Sequence, residues 1–189
     1  MVLKTHIMSG YPPLLRRPVL EQELDALPAT ASPSLYSLLQ FWSDAAGDDD
    51  VPSRDRLDAF TLRPWLGHIS IYEAVDDGND YRIRLEGTAI VAITGEDWTG
   101  KRASEVDAKY GCHIADFMRQ IARSRKPMVH TMHVFQNEVE FITRLLLPVR
   151  SRPGGPVDQI FLVIYVDPHQ AALGTDPNPP PLTVFSPAG

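Results

Sequence analysis

Residues 81–102 read YRIRLEGTAIVAITGEDWTGKR, and this stretch decides which fold the sequence predicts. It opens with strict alternation: Tyr81, Ile83 and Leu85 share one face of an extended strand, and the residues between and after them are charged. Gly87 ends this strand and a short apolar run follows. Two later glycines each mark a turn. The segment therefore predicts a half-buried strand, a small helical turn and a glycine-rich loop.

Hydrophobic alternation elsewhere predicts four more strands and a single antiparallel sheet. An Asp-Asp-Gly-Asn turn joins the first two strands into a hairpin. The last strand contains IFLVIYV, residues 160–166, which is apolar on both faces. A strand of that kind lies inside a sheet that is covered on both sides. The five predicted strands are residues 68–75, 80–87, 128–135, 138–148 and 159–167.

Two helices are also predicted. Ser32 is a typical N-cap and Pro33 suits the first helical position, so a helix begins there and ends near Gly47. A second helix carries apolar residues at positions 114, 117, 118 and 121 and ends before Pro127. The first helix has an apolar stripe at helical spacing, formed by Leu35, Leu38, Leu39 and Trp42.

Two patterns in the opening stretch, Arg-Leu-x-Gly-Thr and Gly-x-Asp-x-Thr-Gly-Lys, resemble one subfamily of the PAS domain. This bacterial subfamily consists of short stand-alone proteins first catalogued as a domain of unknown function. The resemblance extends from about Ser34 to Asp167. It implies an α+β PAS fold, with a five-stranded antiparallel sheet in the order 2-1-5-4-3. Helices would cover one face of this sheet, and the N-terminal helix would cover the other.

Length and composition predict one domain with two extensions. A chain of 189 residues with 43% hydrophobic content buries one core. Residues 1–31 show no sustained periodicity, and residues 168–189 are rich in proline, which disfavours helices and inner strands. We expect a flexible extension over 1–31, the PAS domain over 32–167 and a disordered tail over 168–189.

Charge and hydropathy disfavour several classes of function. A net charge of -6 with scattered basic residues disfavours nucleic-acid binding, which needs clustered Lys and Arg. No apolar stretch approaches the roughly 20 residues of a membrane helix, and the first residues lack the apolar core of a signal peptide. The single cysteine fits a reducing compartment. The sequence therefore predicts a cytoplasmic protein that binds neither nucleic acid nor membrane, and the resemblance implies that it is bacterial.

The resemblance implies a ligand pocket between the sheet and the helices. Alternation supplies the residues that would face it, and plain core packing is the alternative for each of them. The candidate pocket residues are Ile83, Leu85, Ile90, Trp98, Phe117, Ile121, Phe141, Thr143, Leu145 and Tyr165.

The other face of the sheet is predicted to meet the N-terminal helix, either from the same chain or from a second copy. We expect a homodimer, because the apolar face of the helix, widened by Tyr36 and Phe41, exceeds what one sheet needs. Besides Leu35, Leu38, Leu39 and Trp42 of the helix, this interface would contain Ile142, Leu146, Ile160, Leu162 and Ile164.

Neither haem nor flavin is predicted, although an unidentified small ligand is compatible with the sequence. The flavin-binding branch of PAS proteins has an Asn before its cysteine and an Arg after it, whereas Gly111 and His113 flank Cys112 here. His113 is a surface or capping group rather than a haem ligand. His130 and His133 are an odd distance apart on a strand, so they face opposite sides and cannot share a metal.

Three functions remain open. The first is a stand-alone sensor or adaptor that binds a small ligand or a signalling protein and acts through protein contacts in trans. The second is a PAS-shaped dimerisation module with a filled core. The third is an enzyme, which the sequence disfavours because it lacks the common nucleophile, phosphate-loop and metalloprotease motifs.

Overall fold

The computed structural model describes residues 20–135 and 139–167. Within these residues, six strands form one antiparallel sheet, in the order β1-β4-β5-β6-β2-β3. The longest strands, β5 and β6, lie at its centre. The strands are β1 (Leu20–Leu24), β2 (Ile69–Val75), β3 (Asp80–Leu85), β4 (Met128–Phe135), β5 (Val139–Arg150) and β6 (Val157–Val166).

In the part of the chain that the structure describes, four α-helices cover the two faces of the sheet. Three of them follow β3 in the chain and pack on one face, which we call the inner face. The helix that precedes β2 packs on the opposite, outer face. None of the helices in the described ranges is long and apolar enough to cross a membrane. The helices are α1 (Pro33–Ala46), α2 (Thr88–Thr94), α3 (Ala103–Tyr110) and α4 (Ile114–Ser124).

The predicted strand order 2-1-5-4-3 is confirmed for β2 to β6, but the expectation of five strands is wrong. A sixth strand, β1, pairs with β4 within the region predicted to be a flexible extension. Its sequence, LEQEL, contains two glutamates and is short. An edge strand tolerates such charges, so the pattern does not stand out in the sequence. Residues 1–19 of that extension and the predicted tail, 168–189, lie outside the described residues.

Helix α1 forms where its caps predict. The Ser32 hydroxyl accepts a hydrogen bond from the Ser34 N–H at 3.3 Å, and Gly47 ends the helix with a φ of 62°. Leu35 and Leu38 are fully buried against the outer face of the same chain's sheet. The Trp42 indole also donates to the Pro148 carbonyl of β5 at 2.8 Å. Helix α1 therefore covers its own sheet.

The inner layer contains a helix that the sequence did not predict. Helix α3 buries only Ala103 and Val106, which leaves its hydrophobic periodicity too weak to recognise. It also positions α4, because the Asp107 carboxylate accepts hydrogen bonds from the backbone N–H groups of Ile114 at 2.7 Å and Ala115 at 3.0 Å. Asp107 thus supplies the capping side chain for α4, and His113, expected to be a surface or capping group, is exposed and its side chain makes no capping hydrogen bond.

The prediction of which face of β5 and β6 meets which layer of helices is wrong, because the two faces are exchanged in the structure. Leu145 and Tyr165 pack with α1 on the outer face. The reason lies in β5, where Glu140 and Arg144 alternate with apolar residues. Charged residues at alternate positions of a strand predict a face that is exposed to solvent. Five residues predicted to meet the N-terminal helix belong instead to the inner core: Ile142, Leu146, Ile160, Leu162 and Ile164.

Candidate functional site

A cavity of about 100 Å³ lies between the inner face of the sheet and helices α2 to α4. Strands β2, β4, β5 and β6 form its floor, and the helices with the loop after α2 form its roof. Most of the wall is apolar, and the polar groups are few. The lining residues are Tyr72, Glu86, Ile90, Ile93, Thr94, Trp98, Val106, Tyr110, Cys112, Ile114, Met132, Ile142, Arg144, Leu162 and Ile164.

The structure places two of the ten predicted pocket residues, Ile90 and Trp98, in this wall. Ile83, Ile121 and Phe117 belong to the surrounding inner core without lining the cavity. Leu85 is 41% exposed on the edge strand β3.

The remaining predicted pocket residues do not reach the cavity or cannot be placed. Leu145 and Tyr165 lie on the outer face with α1. Thr143 alternates onto that face too, where its hydroxyl donates to the buried Asp167 carboxylate at 2.6 Å. The Phe141 side chain lies outside the described residues. Three residues predicted for the opposite face, Ile142, Leu162 and Ile164, line the cavity instead.

Sequence reasoning missed the most unusual residue in the wall, Arg144. Its side chain is almost completely buried, and its guanidinium carbon lies 5.5 Å from the centre of the Phe117 ring. A single charge in the middle of the apolar run of β5 was the signal that could have identified it. Burying a guanidinium costs several kcal/mol unless other groups compensate, so such a residue is a candidate for function.

His130 lies beside Arg144, on the neighbouring strand and on the same face. It is fully buried and packs against the Phe117 ring, with ring centres 4.3 Å apart. Neither ring nitrogen has a hydrogen-bond partner within the described residues. Burial, and then the positive charge of Arg144, lower the pKa of His130 to about 3. The imidazole is therefore neutral at physiological pH.

Glu86 and Tyr72 are two acidic groups in the wall. Burial raises the pKa of Glu86, although the Trp98 backbone N–H donates to its carboxylate and opposes that shift. Burial also raises the pKa of Tyr72, and the negative charge of Glu86 adds to this effect. The phenol stays protonated, and Glu86 binds a proton more readily than an exposed glutamate does.

Two aromatic side chains form the part of the roof nearest the surface. The Trp98 and Tyr110 rings meet edge to face, with centres 5.7 Å apart. The Lys109 ammonium lies 5.0 Å from the Trp98 ring centre and 5.6 Å from that of Tyr110, and it forms an ion pair with Glu96. The Trp98 Nε1 atom is buried, and the Trp98 side chain lies close enough to the Tyr110 hydroxyl to oppose the rise that burial causes in the pKa of that phenol.

The loop that carries Trp98 is attached to the edge of the sheet. The Ile83 N–H donates to the Lys101 carbonyl at 2.8 Å, and the Gly100 N–H donates to the Ile83 carbonyl at 2.7 Å. The second glycine-containing pattern of the sequence therefore pairs with β3 and covers its outer edge. This attachment links the cavity roof directly to the surface of the domain.

The residues considered for cofactors and metals occupy different environments. Cys112 lines the cavity and is buried, with its Sγ atom 3.2 Å from the Asp107 carboxylate. His113 is exposed and does not line the cavity. Within residues 20–135 and 139–167, His, Cys, Asp and Glu side chains form no cluster that could hold a metal ion.

A comparison with solved structures finds similarity to a chain described as the structure of an RNA-binding Light-Oxygen-Voltage receptor. The two share 16% sequence identity with a TM-score of 0.42, and the match covers 78% of this chain and 38% of the other. This chain thus spans well under half the length of that protein. A comparison with curated proteins finds no significant match.

The family comparison agrees with the architecture. A family model described as PAS domain matches residues 30–162, which include α1, the four strands β2 to β5, the three inner helices and more than half of β6. This match covers more than half of the chain, and the chain therefore belongs to the PAS domain family.

Proposed function

We propose that this protein is a sensory or adaptor module that binds a small ligand in the inner cavity and signals through contacts with another protein. The observation that carries the proposal is the cavity itself. It is mostly apolar, it lies between the sheet and three helices, and it contains a few polar groups that can orient a ligand. PAS domains are generally sensory or signalling modules, which agrees with this role.

A ligand in this cavity would touch groups that connect to the surface. Trp98 lines the cavity, and its loop pairs with β3 through Gly100 and Lys101. A ligand that favours one position of the Trp98 ring would therefore change the edge of the sheet. A protein partner that binds at this edge would therefore respond to the presence of the ligand.

The size of the cavity supports a second candidate function. At about 100 Å³ the cavity is smaller than the several hundred cubic ångströms of most ligand pockets. This favours the alternative of a PAS-shaped association module whose core is nearly filled. The homodimer stays a prediction, but the α1 stripe is already buried on its own sheet. A dimer would need another surface.

Native mass spectrometry of the gently purified full chain tests whether a ligand is bound. We expect a population heavier than the polypeptide, which loses the extra mass on denaturation. Ile93→Trp should abolish that population, because Ile93 lines the cavity and is only partly buried, so a larger ring would fill the space without unfolding the domain. Val91→Trp is the matched control, since Val91 lies on the same helix away from the cavity wall.

Two results would count against the sensor. The association module is favoured if every preparation has the mass of the bare polypeptide and Ile93→Trp binds a protein partner as well as the natural chain does. If the extra mass is still present in Ile93→Trp but is lost on substitution of a surface residue, the ligand binds outside the inner cavity.

A further inference from the structure

One large aromatic side chain lies almost entirely in solvent. The Phe60 ring is 82% exposed, whereas its apolar neighbours Leu57 and Leu62 are buried in the outer core. The turn that carries Phe60 is structured, because the Asp58 carboxylate accepts hydrogen bonds from the N–H groups of Phe60 and Thr61, both at 2.8 Å. A partner that binds this ring would therefore order little of the chain, which lowers the entropic cost of binding.

Arg54 lies beside this turn and lacks part of its hydrogen bonding. Its guanidinium carbon is 5.5 Å from the centre of the Phe161 ring, which belongs to the outer core. Its Nη1 atom is buried with no hydrogen-bond partner among the described residues. Burial lowers the pKa of Arg54; the charge of Asp58 opposes this shift and that of Arg84 adds to it, so both groups lie near the guanidinium. A negative group from another molecule would offset the repulsion between Arg54 and Arg84.

The surface around Phe60 is basic on a chain whose net charge is -6. The segment 54–63 and the outer surface of β2 and β3 beside it carry five arginines and three carboxylates, and all three carboxylates already accept hydrogen bonds or an ion pair within the chain. An acidic partner complements this charge, whereas a second copy placed symmetrically would bring arginines together. This region, which we call the Phe60 surface, contains Phe60, Arg54, Arg56, Arg63, Arg82, Arg84, Asp55, Asp58 and Glu73.

Strand β3 connects the Phe60 surface to the cavity. Arg82 and Arg84 flank Ile83, whose N–H and carbonyl groups both pair with the loop that carries Trp98. Arg84 also forms an ion pair with Glu73 of β2 at 3.4 Å. A ligand that displaces the Trp98 loop would therefore change the position of both arginines.

An anionic lipid surface is another partner that suits an exposed aromatic ring among arginines. However, the carboxylates of Asp55, Asp58 and Glu73 lie among the same arginines, and anionic headgroups would repel them. A protein can place basic groups opposite these carboxylates and acidic groups opposite the arginines. The mixed charges of the Phe60 surface therefore favour a protein.

We infer that the Phe60 surface binds an acidic protein partner, whose apolar pocket receives the Phe60 ring and whose carboxylates pair with Arg54 and Arg84. Aromatic side chains and arginine are enriched in protein interfaces, which agrees with this composition. The inference rests on the proposed function, because it names the surface and the chemistry of the protein that receives the signal.

Fluorescence anisotropy of labelled peptides of equal length tests this chemistry on the full chain. The three probes are an amphipathic helical peptide of Leu and Glu, its counterpart of Leu and Lys, and a polar peptide of Ser and Glu. We expect the Leu–Glu peptide to bind at least about tenfold more tightly than either of the others, because it alone supplies both apolar contact and complementary charge. Equal or tighter binding of the Leu–Lys or Ser–Glu peptide would overturn the inference.

Variants assign the binding to the Phe60 surface. Phe60→Ser should weaken binding of the Leu–Glu peptide at least about fivefold, whereas Phe60→Leu should retain most of the affinity. Arg84→Glu should weaken it by a similar factor. Arg123→Glu is the matched control, since it changes the net charge equally on the exposed side of α4. All three positions are exposed, so folding should not depend on them. Binding that Phe60→Ser and Arg84→Glu leave unchanged would refute the assignment.

Sedimentation with vesicles tests the lipid alternative. The vesicles contain equal parts of phosphatidylserine and phosphatidylcholine, and we expect the full chain to stay in the supernatant. Sedimentation with the vesicles that Phe60→Ser abolishes would make the Phe60 surface a membrane site and overturn the inference.

The outcomes separate this inference from the proposed function. If native mass spectrometry shows a bound ligand but the chain does not prefer the Leu–Glu peptide, the inference is wrong and the ligand sensor stands. If the peptide preference is found but every preparation has the mass of the bare polypeptide, the Phe60 surface stands and the ligand sensor fails.

Discussion

At the scale of single residues, His130 makes the stability of the fold depend on pH. The folded chain holds this imidazole neutral, with a pKa near 3, whereas the unfolded chain protonates it below about 6.5. Because the unfolded state binds more protons between these values, stability falls as pH decreases through this window. The loss from His130 should reach about 1–2 kcal/mol between pH 7 and pH 5.

The variant His130→Leu should remove this part of the pH dependence. At pH 7 it should be as stable as the natural chain or more stable by about 1 kcal/mol, because it removes two buried ring nitrogens that lack partners. Urea unfolding of both chains at pH 7 and pH 5 measures how much free energy of unfolding each chain loses. Groups that both chains share titrate alike, so their contribution cancels in the comparison. An equal loss of stability in the two chains would show that His130 titrates normally.

Gly87, the last residue of the Arg-Leu-x-Gly pattern, is required by a close backbone contact rather than by its own conformation. Its φ is -67°, which any residue adopts. A Cβ atom there would lie 2.8 Å from the Gly67 carbonyl carbon and 2.9 Å from the Ile69 carbonyl oxygen, so the backbone would have to move. We expect Gly87→Ala to destabilise the fold by about 2–3 kcal/mol.

The matched control is Gly95→Ala. Gly95 has a φ of 77° and open space around it, so an added methyl group costs only the left-handed strain of about 1 kcal/mol. Thermal or urea unfolding of the two variants measures both. A larger loss at Gly95 than at Gly87 would mean that the hairpin and the turn before β2 separate easily.

At the scale of the elements, α1 is attached to the sheet by one buried hydrogen bond and an apolar stripe. Trp42→Phe keeps most of the apolar contact but leaves the Pro148 carbonyl without its donor. It should cost about 1–2 kcal/mol. Trp65→Phe is the control, since the Trp65 indole donates to Ser37 at 3.3 Å in an exposed position. That change should cost under about 0.5 kcal/mol, as is usual at a surface.

Circular dichroism during urea unfolding avoids the changed tryptophan fluorescence of these variants. Equal effects of the two substitutions would contradict a rigid attachment of α1 to its own sheet. Such a result would favour the alternative in which α1 covers the sheet of a second copy.

Local chemistry explains which elements could be predicted from the sequence. The bounds of α1 followed from Ser32, Pro33 and Gly47, and those of β2 to β6 followed from alternation between clear turns. The sequence does not predict which face of β6 meets which layer of helices, because both faces of this strand are apolar and each could pack on either layer. A cavity lies between the sheet and the helices, but the sequence does not predict its wall, because Glu140 and Arg144 give the inner face of β5 the pattern of an exposed face.

At the scale of the whole molecule, the sheet separates two cores with different roles. The outer core, under α1, is closed by well-packed side chains such as Leu145, Val163 and Phe161. The inner core contains the cavity, the buried Arg144 and the Trp98 loop that reaches the edge strand. We therefore expect a ligand to act on the inner layer and leave the outer layer unchanged.

Hydrogen exchange of the full chain, before and after its ligand is removed by unfolding and refolding, tests this claim most directly. The account predicts faster exchange without ligand in residues 88–102, which include α2 and the Trp98 loop, and in β3, whose Ile83 amide pairs with that loop. Exchange in α1 should not change. Native mass spectrometry of both samples confirms the removal. Identical exchange in the inner layer with and without bound ligand would contradict the account of this protein as a sensor.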